Sequence, residues 1–191
     1  MTQIALFHSV LGVRPGVLDA RDRLTAAGHN VTVIDHYDGR VFDTYDDGFA
    51  YLKEIGGPEV LTQRTLEAVA GLPDGLATVG FSNGAAAAAL VATQRSVSRV
   101  VLISGPIPME MLGTHVWPAT TPIQAHAVDE DPFDDRETLE SFAADLRSAG
   151  AQLEMLWYHG KGHLFTDPSL PAEYDAEATE LLWERALRFL R

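Results

Sequence analysis

One stretch limits what this chain can fold into more than any other. Leu76 to Val79 is a short apolar run, Asn83 to Thr93 is rich in small residues, and Gly80-Phe81-Ser82-Asn83-Gly84 joins them. The pattern predicts a buried strand, a very tight turn and a helix, with Ser82 lifted above the strand end. Such a turn brings the strand and helix backbones nearly into contact, so the residues two places either side of the serine must be tiny. The run Ala85 to Ala89 then lets the helix lie close on the sheet. Backbone N–H groups at the start of that helix face the place where a developing oxyanion would sit. A G-x-S-x-G match alone is weak, and the plainer reading is a glycine-punctuated turn with a surface serine. Strand before and helix after is the context in which the motif forms a nucleophile elbow.

The remaining chain alternates in the same way. Apolar runs predict strands at Gln3 to His8, Val31 to Asp35, Arg99 to Ile103, Pro122 to Val128 and Gln152 to Tyr158. Helical spacing is expected over Val17 to Ala27, with Val17, Leu18, Arg21 and Leu24 as its buried stripe and Gly28 as its C-cap. Further helices are expected at Phe49 to Ile55, at Glu59 to Ala70 after Pro58, and at Glu137 to Ala149, whose inner face is Leu139, Phe142, Ala143 and Leu146. The closing helix, Asp175 to Leu190, is read with Ala178, Leu181, Leu182, Arg185 and Phe189 inward. Tyr37 to Asp47 reads as mostly loop, and Met109 to Trp117 as loop with one helical turn. Alternation of this kind implies an α/β fold: one domain, 1–191, with a doubly wound, mostly parallel sheet of about six strands and helices on both faces.

Composition narrows the function. The formal net charge is −13, which argues against nucleic acid and anionic membrane surfaces as partners. There is no cysteine, hence no thiolate nucleophile, disulfide or zinc–thiolate site, and no metal or other cofactor is expected. Met1 to Phe7 lacks the basic region of a signal peptide, and no apolar run has the length of a membrane span, so the expected location is cytoplasmic.

A serine hydroxyl needs a neighbouring base, and the base needs a carboxylate to orient it. On a doubly wound sheet these groups lie on loops at the C-terminal strand ends. Of the seven histidines, His163 sits in a glycine-flanked loop after the last strand, ahead of Leu164-Phe165, and suits the base. His159 is the next choice, more simply read as a strand-end residue bonded to backbone, and His126 points into packing. The acid lies among Asp129, Glu130, Asp131, Asp134 and Asp135. Pro132-Phe133 can pin that loop on the core, which favours Asp131, although the sequence does not decide between Asp131 and Asp129. The order Ser, Asp, His is that of α/β-hydrolases.

Together, His8-Ser9-Val10-Leu11-Gly12-Val13, the elbow, Glu130-Asp131-Pro132-Phe133 and Gly162-His163-Leu164-Phe165 resemble the dienelactone hydrolase family of α/β-hydrolases. The resemblance spans essentially the whole chain and includes Asp35 to Arg40. It implies a lidless α/β-hydrolase fold, a triad of Ser82, Asp131 and His163, and an oxyanion hole from the N–H groups of Val10 and Asn83. The chain departs from the family's best-known members, which have cysteine where this chain has Ser82 and glutamate where it has Ser9. It also has Asp167 where they have an arginine that grips a substrate carboxylate. A carboxylate at that position would repel an anionic lactone.

The expected activity is hydrolysis of a small, neutral ester, lactone or thioester through an acyl-enzyme. Ser9, Leu11, Trp117, Phe133 and Leu164 are the expected pocket residues. The expected oligomeric state is a monomer or weak homodimer. A catalytically silent binding protein on the same fold is the alternative. A nucleotide-binding protein is disfavoured because no Gly-x-Gly-x-x-Gly turn follows the first strand.

Overall fold

The computed structural model describes residues 1–191. Six parallel strands form one sheet: β1 (Gln3–Phe7), β2 (Asn30–Ile34), β3 (Leu76–Phe81), β4 (Val97–Ile103), β5 (Ile123–Val128) and β6 (Leu153–Tyr158). Their spatial order is β2-β1-β3-β4-β5-β6. The chain leaves β1 toward one edge and returns to β3 on the other side of β1. The loops after β1 and β3 therefore diverge, and a crevice opens between them at the C-terminal strand ends. Ser82 stands at the top of β3, beside that crevice.

Six helices connect the strands: α1 (Pro15–Ala26), α2 (Tyr45–Glu54), α3 (Gly57–Val69), α4 (Asn83–Gln94), α5 (Arg136–Ser148) and α6 (Ala176–Phe189). Side chains of α1 and α6, including Leu24, Leu182 and Trp183, pack with Leu6 and Val79 over one face of the sheet. The alanines of α4 pack with Phe7, Leu102 and Trp117 over the other face. A strand buried on both sides needs no polar alternation, and β3 and β5 are buried at every residue.

Local structure departs from the sequence expectation in three places. The buried side of α1 is Val17, Ala20 and Leu24, while Leu18 is exposed. In α6 the inner face is Ala178, Leu182, Trp183 and Ala186, and Leu181 is exposed. The buried stripe falls at Val17, Ala20 and Leu24 in α1 and at Ala178, Leu182 and Ala186 in α6, so Leu18 and Leu181, each one position off it, turn to solvent. The third departure is α2, which begins at Tyr45, inside the stretch expected to be loop. Thr44 caps it by accepting the Asp47 N–H at 3.2 Å, and Asp46 and Asp47 lie in its first turn, where the helix dipole favours them. Met109–Leu112 forms the expected helical turn. No helix is long and apolar enough to cross a membrane.

Three buried histidines make the fold sensitive to acid. His8 accepts the His36 N–H on Nε2 and donates from Nδ1 to the Ser9 carbonyl, so it is held neutral. Burial lowers its pKa. Burial also pushes His36 and His126 down to about 3. Between pH 6.5 and that value the unfolded chain binds protons that the folded chain excludes. Stability is therefore complete above about pH 6.5 and is lost as pH falls, by about 1.4 kcal/mol per pH unit for each such histidine. Urea unfolding midpoints measured from about pH 7.5 to about pH 4.5 are expected to fall steeply below about pH 6.5. A flat profile would contradict the buried neutral state.

Candidate active site

The elbow is built by exclusion of side chains. A Cβ at Gly80 would press into the backbone of Gly84, and a Cβ at Gly84 into the carbonyl oxygens of Phe7 and His8. Glycine at both positions thus lets the start of α4 sit on β3 and against the end of β1. Ser82 between them adopts φ 53° and ψ −118°, a conformation that non-glycine residues rarely hold. Its N–H donates to the Ile103 carbonyl at 2.8 Å, which ties the turn to β4. Strain of this kind persists only where surrounding structure enforces it.

His163 and Asp131 arrive from the loops after β6 and β5. His163 Nε2 is 2.7 Å from Ser82 Oγ, and His163 Nδ1 is 2.7 Å from Asp131 Oδ2. An ionised carboxylate only accepts, so Nδ1 carries the proton and the Nε2 lone pair accepts the serine hydroxyl. Both ionisable partners are enclosed, with side chains 6% and 1% exposed. Asp131 Oδ1 accepts the Phe133 N–H at 2.9 Å, which fixes the carboxylate plane. The Phe133 ring lies 4.6 Å from the imidazole, centroid to centroid, and Tyr45 packs edge-on to it at 6.0 Å.

The other candidate acid and base pair with each other instead. Asp129 accepts from Gly160 N–H and lies 2.7 Å from His159 Nδ1, on the outside of the molecule. These bonds hold Asp129 below the ordinary carboxylate range. Thus His159 is bonded to a carboxylate rather than to backbone, and neither residue touches Ser82.

The loop after β1 is fixed beside the elbow. Leu11 N–H donates to Ser9 Oγ at 3.2 Å and Gly12 N–H to the Ser9 carbonyl at 3.1 Å. The Val10 N–H between them bonds no protein acceptor. Asn83 is the first residue of α4, so its N–H has no intrahelical acceptor either.

A cavity of about 300 Å³ opens over Ser82 and His163. Tyr45 and Phe49 from α2, Phe142 from α5 and Ala86 from α4 line it. The loops supply Pro106, Ile107, Met111, Phe133 and Asp134. Of the expected pocket residues only Phe133 lines it. Leu11 and Trp117 are core, each at most 1% exposed, and the Trp117 indole N–H is used by the Thr121 carbonyl at 2.7 Å. Ser9 and Leu164 border a separate crevice of about 10 Å³ with Arg14 and Asp167.

Asp167 is also corrected. It is buried, accepts from the N–H groups of Gly16 and Ser169, and lies 3.5 Å from Arg14, so it faces no substrate. Ser104 was not foreseen. At φ 74° it turns its Oγ onto the His163 carbonyl at 2.7 Å and steadies the histidine loop. A polar residue directly after an apolar strand, next to Gly105-Pro106, was the available signal.

Known proteins resemble this chain in sequence pattern and in fold. Residues 2–191 match the model of the dienelactone hydrolase family. No curated protein matches the chain in sequence. Among solved structures, the chain is similar to a dienelactone hydrolase-like promiscuous phosphotriesterase from metagenomic libraries, at 22% identity and TM-score 0.81, covering 99% of this chain and 85% of that one. It is also similar to a candidate dienelactone hydrolase from Klebsiella pneumoniae, at 18% identity and TM-score 0.75, covering 98% of this chain and 85% of that one. An α/β serine hydrolase homologue from Coxiella burnetii aligns at 18% identity and TM-score 0.63, covering 100% of this chain and 85% of that one. At these identities the structural likeness establishes a shared α/β-hydrolase fold.

Proposed function

The chain belongs to the dienelactone hydrolase family, and from that premise we propose that it is a serine hydrolase that cleaves a small ester, lactone or thioester through an acyl-enzyme. The observation that carries this reading is the pair of 2.7 Å contacts running from Ser82 through His163 to Asp131. His163 Nε2 takes the hydroxyl proton as Ser82 Oγ attacks the carbonyl carbon. Asp131 holds the tautomer and stabilises the imidazolium that forms. The free N–H groups of Val10 and Asn83 receive the oxyanion. The tetrahedral intermediate collapses, His163 gives its proton to the leaving alcohol or thiol, and Ser82 keeps the acyl group. Water, deprotonated by the same imidazole, then releases the acid and restores the hydroxyl.

Two leaving groups on one acyl group test the route. With p-nitrophenyl and phenyl butyrate in dilute methanol, both esters are expected to give the same ratio of methyl butyrate to butyrate. That identity follows because both pass through one acyl-enzyme. Ratios that differ between the esters, or an absence of turnover, would overturn the reading.

A further inference from the structure

The cavity over Ser82 has an unusual balance of chemistry. Four aromatic rings, Tyr45, Phe49, Phe133 and Phe142, stand in its wall, and it contains no lysine or arginine. Its one carboxylate outside the triad is Asp134. The other aspartates of this loop are all engaged: Asp129 with Gly160 and His159, Asp131 with His163 and Phe133, Asp135 as the cap of α5 accepting from Thr138. Asp134 alone has no hydrogen-bond or ion-pair partner, although it is half-buried. Burial and the neighbouring Asp131 raise its pKa while His163 draws it down, and the net rise is what a half-buried carboxylate with no lysine or arginine beside it shows.

We propose that Asp134 is a specificity-determining charge that makes this site select the substrate by its charge: an ester whose acyl part carries a cationic group is preferred, a neutral apolar one is accepted, and one ending in a carboxylate is rejected. The inference rests on the hydrolase reading above and adds the substrate class. Two physical effects act in the same direction. A cation in the cavity meets the negative faces of the aromatic rings as well as the free carboxylate. An anion there meets Asp134, with no lysine or arginine in the wall to offset the repulsion. The sequence placed this repulsion at Asp167, which the fold turns away into an ion pair with Arg14.

Three p-nitrophenyl esters of matched length test it: hexanoate, hemiadipate and 5-(trimethylammonio)pentanoate. The expected order of kcat/KM at about pH 7.5 and low salt is cation, then neutral, then anion, with the anion about tenfold or more below the neutral ester. In Asp134→Asn the anion-to-neutral ratio is expected to rise about tenfold and the cation-to-neutral ratio to fall. Using ratios removes any effect of the substitution on His163, because all three esters share one carbonyl and one leaving group. Equal ratios in the two proteins would overturn the proposal. A second measurement needs no turnover. In a Ser82→Ala background, calorimetry is expected to show hexyltrimethylammonium binding more tightly than hexanoate, with the difference reduced by Asp134→Asn. If no ester is hydrolysed but this ranking appears, the hydrolase reading fails and the charge selection stands. Turnover without the ranking has the opposite meaning.

Discussion

Ser82→Ala is expected to lower kcat on p-nitrophenyl acetate by about 10⁴-fold or more while leaving the fold intact. The size of the loss follows from covalent catalysis. Without Oγ no acyl-enzyme forms, and only carbonyl polarisation by the Val10 and Asn83 N–H groups remains. The fold should tolerate the change because the serine side chain makes no structural bond besides that to His163 Nε2. The positive φ at this position is imposed by Gly80, Gly84 and the Ile103 carbonyl, and it is no worse for alanine than for serine. The thermal midpoint should therefore move by only a few degrees. A variant that keeps turnover, or one that unfolds, would each contradict this account of the elbow.

The second large effect concerns the acid. Asp131→Asn is expected to reduce kcat by about 10³- to 10⁴-fold, and Asp129→Asn by less than about twofold. In the first variant the new carboxamide oxygen would keep the bond to Phe133 N–H, because that bond fixes one oxygen in place. The carboxamide NH₂ would then face His163 Nδ1. A donor there forces Nδ1 to accept, moves the ring proton to Nε2 and removes the lone pair that must take the Ser82 proton. Geometry is preserved while the tautomer is wrong. Asp129 is bonded only to Gly160 and the exposed His159, so its loss is felt at the surface. Steady-state kinetics of the two variants against p-nitrophenyl butyrate separate the candidates that the sequence left open. Similar losses in both would remove Asp131 from its role.

Much of this was legible in the chain because strong local signals and the fold agree. The six strands are apolar runs punctuated by glycine and proline, and the elbow carries its own steric demand in Gly80 and Gly84. Helix orientation was less legible. Leu18 and Leu181 look more suited to burial than Ala20 and Ala186, but each lies one position off the buried stripe, and which stripe faces the sheet is decided by tertiary packing. The pocket was the least legible part. It is assembled from α2, α4, α5 and three separate loops, so residues that meet over Ser82 are far apart in sequence. The acidic, glycine-containing stretch Tyr37 to Asp47 also hides the start of α2, where Tyr45 stands, because its polar composition reads as loop while Thr44 caps a helix within it. Asp167 shows the same limit for electrostatics, since a charge matters to a substrate only if its side chain faces the cavity.

The central claim is that one hydroxyl, Ser82 Oγ, is made nucleophilic by a histidine oriented by Asp131. Labelling the native protein with a fluorophosphonate and mapping the adduct by peptide mass spectrometry tests this most directly. The account predicts one modified site per chain, on the peptide containing Gly80-Phe81-Ser82-Asn83-Gly84, with labelling greatly slowed in Asp131→Asn. A native protein that stays unlabelled, or an adduct on any other residue, would contradict it.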